Sequence, residues 1–210
     1  MFRTALDTRQ RAVVVTLHES VWLAYDAQTC GMYKAWQGTL NQAPGKQPGT
    51  EGRLFYEQKK PETPWRIIRN GKEEVPQVVF KGYLMRDTTV ILKYQLVLAD
   101  QTRILVEEAP ECFPRKKNNN RTEVKRVFTT VGVPEGVQVA LHLEYRSLLR
   151  GTDIGADAKW RNESRSKRIF DWGTLTDFSG DLVLNPNALT TLNTSFTVDP
   201  ELEASTQSGN

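Results

Sequence analysis

Apolar and polar side chains alternate at period two along most of this chain, and Gly, Pro, Asn and Asp cut the alternation at short intervals. No other feature limits the possible folds as strongly. In VILKYQLVL, Val90, Leu92, Tyr94, Leu96 and Leu98 fall on one face, with Ile91, Lys93, Gln95 and Val97 on the other. A strand with one buried and one wetter side gives this pattern. No segment longer than ten residues keeps a helical apolar period. Strands are expected over 76–84, 88–98, 103–108, 123–131 and 137–145, and the pair Asn70-Gly71 predicts a tight type I′ hairpin after a strand that starts at Trp65. Roughly ten or more short strands point to an all-β fold, an antiparallel β-sandwich of two packed sheets with long loops, with a closed barrel as the alternative. Residues 1–184 are expected to form the sandwich domain, and 185–210 a C-terminal strand and polar tail or linker.

The stretch VVVTLHESVWLAYDAQTCGMYKAWQG, 13–38, organises the amino-terminal part. A strand over 13–17 and a polar turn at His18-Glu19-Ser20 lead into a second strand. There Trp22, Ala24 and Asp26 share one face, and Val21, Leu23 and Tyr25 the other. Both faces are apolar, which predicts a central strand. A turn at 26–30, with Gly31 free to take positive φ, feeds a third strand closed by Gly38. The following interval, 39–64, is rich in Pro, Gly and Gln. It is expected to be a surface loop with one short strand at 54–57.

At 210 residues the chain can build one sizeable core. Its apolar runs are far shorter than the ~20 residues that span a bilayer, so no membrane span is expected. Lys and Arg total 28 against 25 for Asp and Glu, and the basic clusters 115–117 and 161–168 lack interleaved aromatics, which argues against a nucleic-acid partner. Cys30 and Cys112 are the two cysteines. They can form one disulfide, worth roughly 4 kcal/mol in the loop-closure picture, or stand as two thiols. Without a CxxC pair or paired histidines, no metal site or other cofactor is expected.

Aromatic residues are the clearest binding signal. Trp22 and Tyr94 lie within apolar strand patterns and are expected in the core. Trp36, Trp65 and Trp160 stand at strand ends or beside Gly, Pro, Lys and Arg. With Tyr56 they are the candidate ligand-binding residues, suited to stacking on a sugar face. Two acid groups, Glu107, Glu108 and Glu111, and Asp171, Asp177 and Asp181, offer the alternative of a carbohydrate-active enzyme working through paired carboxylates. His18 is expected at the surface, and His142, between Leu141 and Leu143, as a partly buried structural residue.

Read with PWRIIRNGKEEVPQVVFKGY, the segment FRTALDTRQRAVVVTLHESVWLAYDAQTCGMYKAWQG resembles a β-rich module of bacterial extracytoplasmic multidomain proteins. In those proteins the module accompanies c-type cytochrome or quinoprotein-like sugar dehydrogenase domains. WLAYDAQTCGMYKAW and RNGKE carry the similarity, which extends loosely through VILKYQLVLADQTRILVEEAPE to about residue 145. The resemblance implies a periplasmic or extracellular location and a cytochrome or dehydrogenase domain as a possible partner. It offers no catalytic residues. The chain has no CxxCH, so covalent haem would belong to a partner. The reading that combines these observations is a non-catalytic accessory module of an exported bacterial protein, one that binds carbohydrate or docks a partner domain.

Overall fold

The alternating faces become three antiparallel sheets around a shared core. The computed structural model describes residues 1–7, 9–41, 47–113, 121–148, 153–170 and 173–197. Among these the helical content is a 3-10 turn, His18–Ser20. The all-β class and sandwich-like layering hold, with three sheets where two were expected.

The first sheet is a continuous meander of β1 (Phe2–Leu6), β2 (Arg9–Thr16), β3 (Val21–Asp26), β4 (Gly31–Asn41) and β5 (Gly49–Glu57). As its two apolar faces imply, β3 lies inside the sheet. Val21, Leu23 and Tyr25 enter the main core, while Ala24 joins a smaller cluster with Trp22 and Trp36 on the opposite face. Positive φ falls on Cys30 (52°) and not on Gly31. Gly31 is required for a different reason, since a Cβ there would stand 2.7 Å from Pro64 Cδ. Gly38 does not close β4. It pairs with Gly52 across β5, at φ 139° and 122°, and a Cβ on Gly38 would meet the Glu51 carbonyl oxygen at 2.3 Å. The two backbones therefore approach more closely than any side chain permits. The strand expected at 54–57 is the end of β5, which starts at Gly49; its first part was hidden from pattern reading because β5 is an edge strand with little alternation.

The third sheet begins with β6 (Trp65–Arg69) and β7 (Lys72–Glu74), joined at Asn70 and Gly71 with φ of 51° and 74°, as the turn pair predicts. The second sheet contains β8 (Gln77–Arg86), β9 (Thr89–Val97), β10 (Arg103–Phe113) and β11 (Arg121–Val131). β12 (Val137–Leu148) returns to the third sheet, β13 (Asp153–Ala156) joins the edge of the second, and β14 (Lys159–Phe170) and β15 (Gly173–Val183) complete the third. β16 (Leu189–Thr197) closes the second. The basic tip 115–117 and the pair Asp171 and Trp172 lie outside the described residues.

The predicted inner face of β9 is buried: Leu92, Tyr94 and Leu96 are fully enclosed. The expected boundary at 184 is not where the core ends. β16 sits between β13 and β11, and its Leu192 and Phe196 belong to the main core. β14 covers a stretch whose charges gave no strand signal, because it is an edge strand exposed over most of its length. Charge on such an edge discourages pairing with other chains.

Candidate functional site

A groove of about 810 Å³ opens where the first and second sheets diverge, between β1, β2 and the edge strand β8. Its size falls within the range of ligand pockets. Arg3 pairs with Val13 across β1 and β2, so both side chains leave the sheet on the same side. Val13 is in the main core, which places Arg3 on the face turned toward the second sheet. Arg11, two residues before Val13, shares that face.

The opposite wall comes from β8. Its register with β9 slips between Phe80 and Gly82, and Gly82 has φ 119°. This bulge inserts one residue, so Phe80 opposite Tyr94 and Tyr83 opposite Leu92 both stand on the core-facing side. Strict alternation would have separated them. Tyr83 remains 42% exposed. The Arg3 guanidinium lies 5.1 Å from the Phe80 ring centre and 5.8 Å from that of Tyr83. Gln10, Gln28 and Thr4 add exposed or partly exposed polar groups, and the described lining residues include no carboxylate.

The expected ligand residues are not gathered in one site. Trp36 is 1% exposed, stacks on Trp22 at 5.8 Å and donates to the Thr39 carbonyl at 3.1 Å. Trp65 is fully buried and donates to the Cys30 carbonyl at 2.7 Å. Neither ring can meet a sugar, because both strand-end positions are covered by neighbouring strands. Tyr56 is buried against Tyr145 at 4.7 Å. Trp160 is half-buried and meets Phe178 edge-on at 5.1 Å. The groove gave a weaker sequence signal: Arg3 lies in β1, which was not anticipated, and its neighbour Tyr83 lies beyond a bulge.

Among the described residues these carboxylates are occupied as ion-pair partners. Glu107 meets Lys93 at 2.9 Å, Glu111 meets Lys125 at 3.7 Å and Asp177 meets Arg168 at 3.1 Å. Glu108 is wholly buried and binds Arg126 Nε at 2.6 Å, while the hydroxyls of Tyr25 and Tyr94 donate to it at 2.8 and 3.1 Å. Burial first, and then the Glu108 charge, push both tyrosines well above their usual range. Asp181 accepts from Asn162 at 2.9 Å and lies 2.7 Å from His142 Nδ1, which gives that histidine its structural role. His18 is exposed in the 3-10 turn. Among the described residues no group of three or more His, Cys, Asp or Glu could hold a metal, and no helix is long and apolar enough to cross a membrane.

No disulfide joins Cys30 to Cys112. Cys30 is buried below Trp65, where desolvation first, then Asp26 and Glu108, push its thiol up to about 12. The thiolate is the reactive form, so iodoacetamide at pH 8 is expected to label Cys112 in the native protein and both residues in denaturant, as read by peptide mass spectrometry. Rapid native labelling of Cys30 would contradict this burial. The same shift makes folding less favourable between pH 9 and about 12, because there the unfolded thiol loses its proton and the folded one keeps it.

Comparison with family models, curated proteins and solved structures finds no match to this chain.

Proposed function

We propose that this chain is a non-catalytic accessory module of an exported bacterial protein, acting outside the cytoplasm and binding carbohydrate in the groove between β1, β2 and β8. One observation carries the reading. An exposed aromatic residue, Tyr83, lies beside the guanidinium of Arg3, which with Phe80 and glutamine side chains lines an open cleft of ligand size. Such a cleft offers an apolar surface for a sugar ring and donors for its hydroxyls. Among the described residues the candidate acids of a hydrolytic pair are instead held in ion pairs or enclosed, which favours binding over turnover.

The test is a glycan-binding screen on the full chain with Tyr83→Ala and Gln28→Ala variants, run beside a turnover assay on any sugar that binds. Tyr83→Ala is expected to weaken binding about tenfold, the weight of a lost aromatic contact, with the melting temperature unchanged. Absence of glycan binding, or turnover abolished by one carboxylate substitution, would reject the reading.

A second reading, docking of a cytochrome or dehydrogenase domain, is favoured by a different observation. Ile169 is 83% exposed beside Phe170, 39% exposed, at the end of edge strand β14. Association with such a domain that is lost in Ile169→Asp would support it.

A further inference from the structure

We infer that the groove selects acidic sugars, oligosaccharides that carry carboxylates, over neutral ones. This inference rests on the carbohydrate reading above and adds the charge of the ligand. Arg9, Arg66, Arg69, Arg126, Arg165 and Arg168 each face a carboxylate. Arg53, Arg86, Arg103 and Arg161 face none among the described residues, and neither do Arg3 and Arg11; what sets the last two apart is that they line one groove whose described lining contributes no acid. A cleft with two uncompensated guanidinium groups between low-dielectric walls concentrates anions.

Arg3 is also held ready. Its guanidinium lies over the rings of Phe80 and Tyr83. Stacking of this kind leaves the planar fork of N–H donors free at its edge, and the weak hydration of guanidinium keeps the cost of desolvation low. A carboxylate matches that fork with two parallel hydrogen bonds. Arg11 projects from the same face one strand over. The diagonal spacing of such neighbours is about 7–8 Å, so a chain of acidic sugars can engage both cations at once. The bulge at Gly82 turns Tyr83 to the same side as Phe80 and extends the aromatic floor beneath Arg3 at the edge of the cleft.

The test is calorimetric titration of the full chain with a galacturonate tetramer, a neutral galactose tetramer of the same linkage and a tetraglutamate peptide, repeated with Arg3→Gln and Arg11→Gln. The expected result is at least about tenfold tighter binding of the galacturonate than of the neutral tetramer, the weight of one charge-assisted pair. That preference is lost in either variant, with melting temperatures unchanged, and weakens as salt is raised. Equal affinity for the two tetramers would overturn the charge selection and leave the carbohydrate reading standing. Binding of tetraglutamate as tight as that of galacturonate, or binding to none of the three, would overturn both.

Discussion

Glu108→Ala is expected to lower the free energy of unfolding by about 3–5 kcal/mol, the usual cost of removing one partner from a buried ion pair. Glu108 is fully enclosed and Arg126 nearly so. Burial alone pulls the Arg126 pKa down, but the Glu108 carboxylate and Tyr25 together more than offset it, and the net direction is upward. Without Glu108 the guanidinium keeps its stacking over Phe128 at 5.0 Å and loses its counter-charge. The hydroxyls of Tyr25 and Tyr94 lose their acceptor as well, each at about 1–3 kcal/mol if left unpaired. Glu108→Gln tells the two contributions apart. It retains an acceptor for the tyrosines and leaves the cation uncompensated, so it is expected to lose nearly as much as alanine. Replacing both Glu108 and Arg126 by apolar residues of similar volume is expected to restore much of the loss. Urea unfolding followed by tryptophan fluorescence measures all three. A loss below about 1 kcal/mol in Glu108→Ala, the range of exposed pairs, would mean that water reaches the pair.

This network was partly legible in the sequence. Glu108 continues the inward series Ile104 and Val106, and Arg126 stands between the inward residues Val124 and Phe128. A charged residue at a buried step of a clean alternation needs a partner, and two neighbouring strands each supplied one of opposite sign. Grouping Glu108 with Glu107 and Glu111 as a carboxylate cluster overlooked that adjacent residues of a strand point to opposite faces. The meander around β3, the inner face of β9 and the Asn70-Gly71 turn were readable because local pattern decides them. β14 and the first part of β5 were not, since an edge strand need not alternate; of β5 only 54–57 was expected. The groove was the least accessible feature. It depends on where one sheet stops covering another, and the aromatic beside its Arg3 follows a one-residue slip in β8; neither leaves a periodic trace.

Trp65→Ala separates a structural tryptophan from a ligand platform. Its indole contacts Tyr94 at 5.9 Å and Phe128 at 6.2 Å, both in the second sheet, and donates to the carbonyl of Cys30, the turn residue just before β4 of the first sheet. Trp65 itself opens β6 of the third sheet, so one side chain ties all three sheets together. The neighbouring contact of Gly31 with Pro64 leaves little room for the backbone to close over a void. Truncation is therefore expected to cost about 3–5 kcal/mol, and Trp65→Phe less, since it keeps the ring and orphans the carbonyl. Sugar affinity per folded molecule should stay unchanged in both. Tyr83→Ala should show the converse, a stability change within about 0.5 kcal/mol as at ordinary surface positions and a clear loss of binding. If Trp65→Ala instead lost ligand while unfolding at the wild-type urea concentration, the ring would have to reach solvent, and the core assigned to it here would be wrong. Opposed responses of these two aromatics would place ligand contact at β8 and a structural junction at β6.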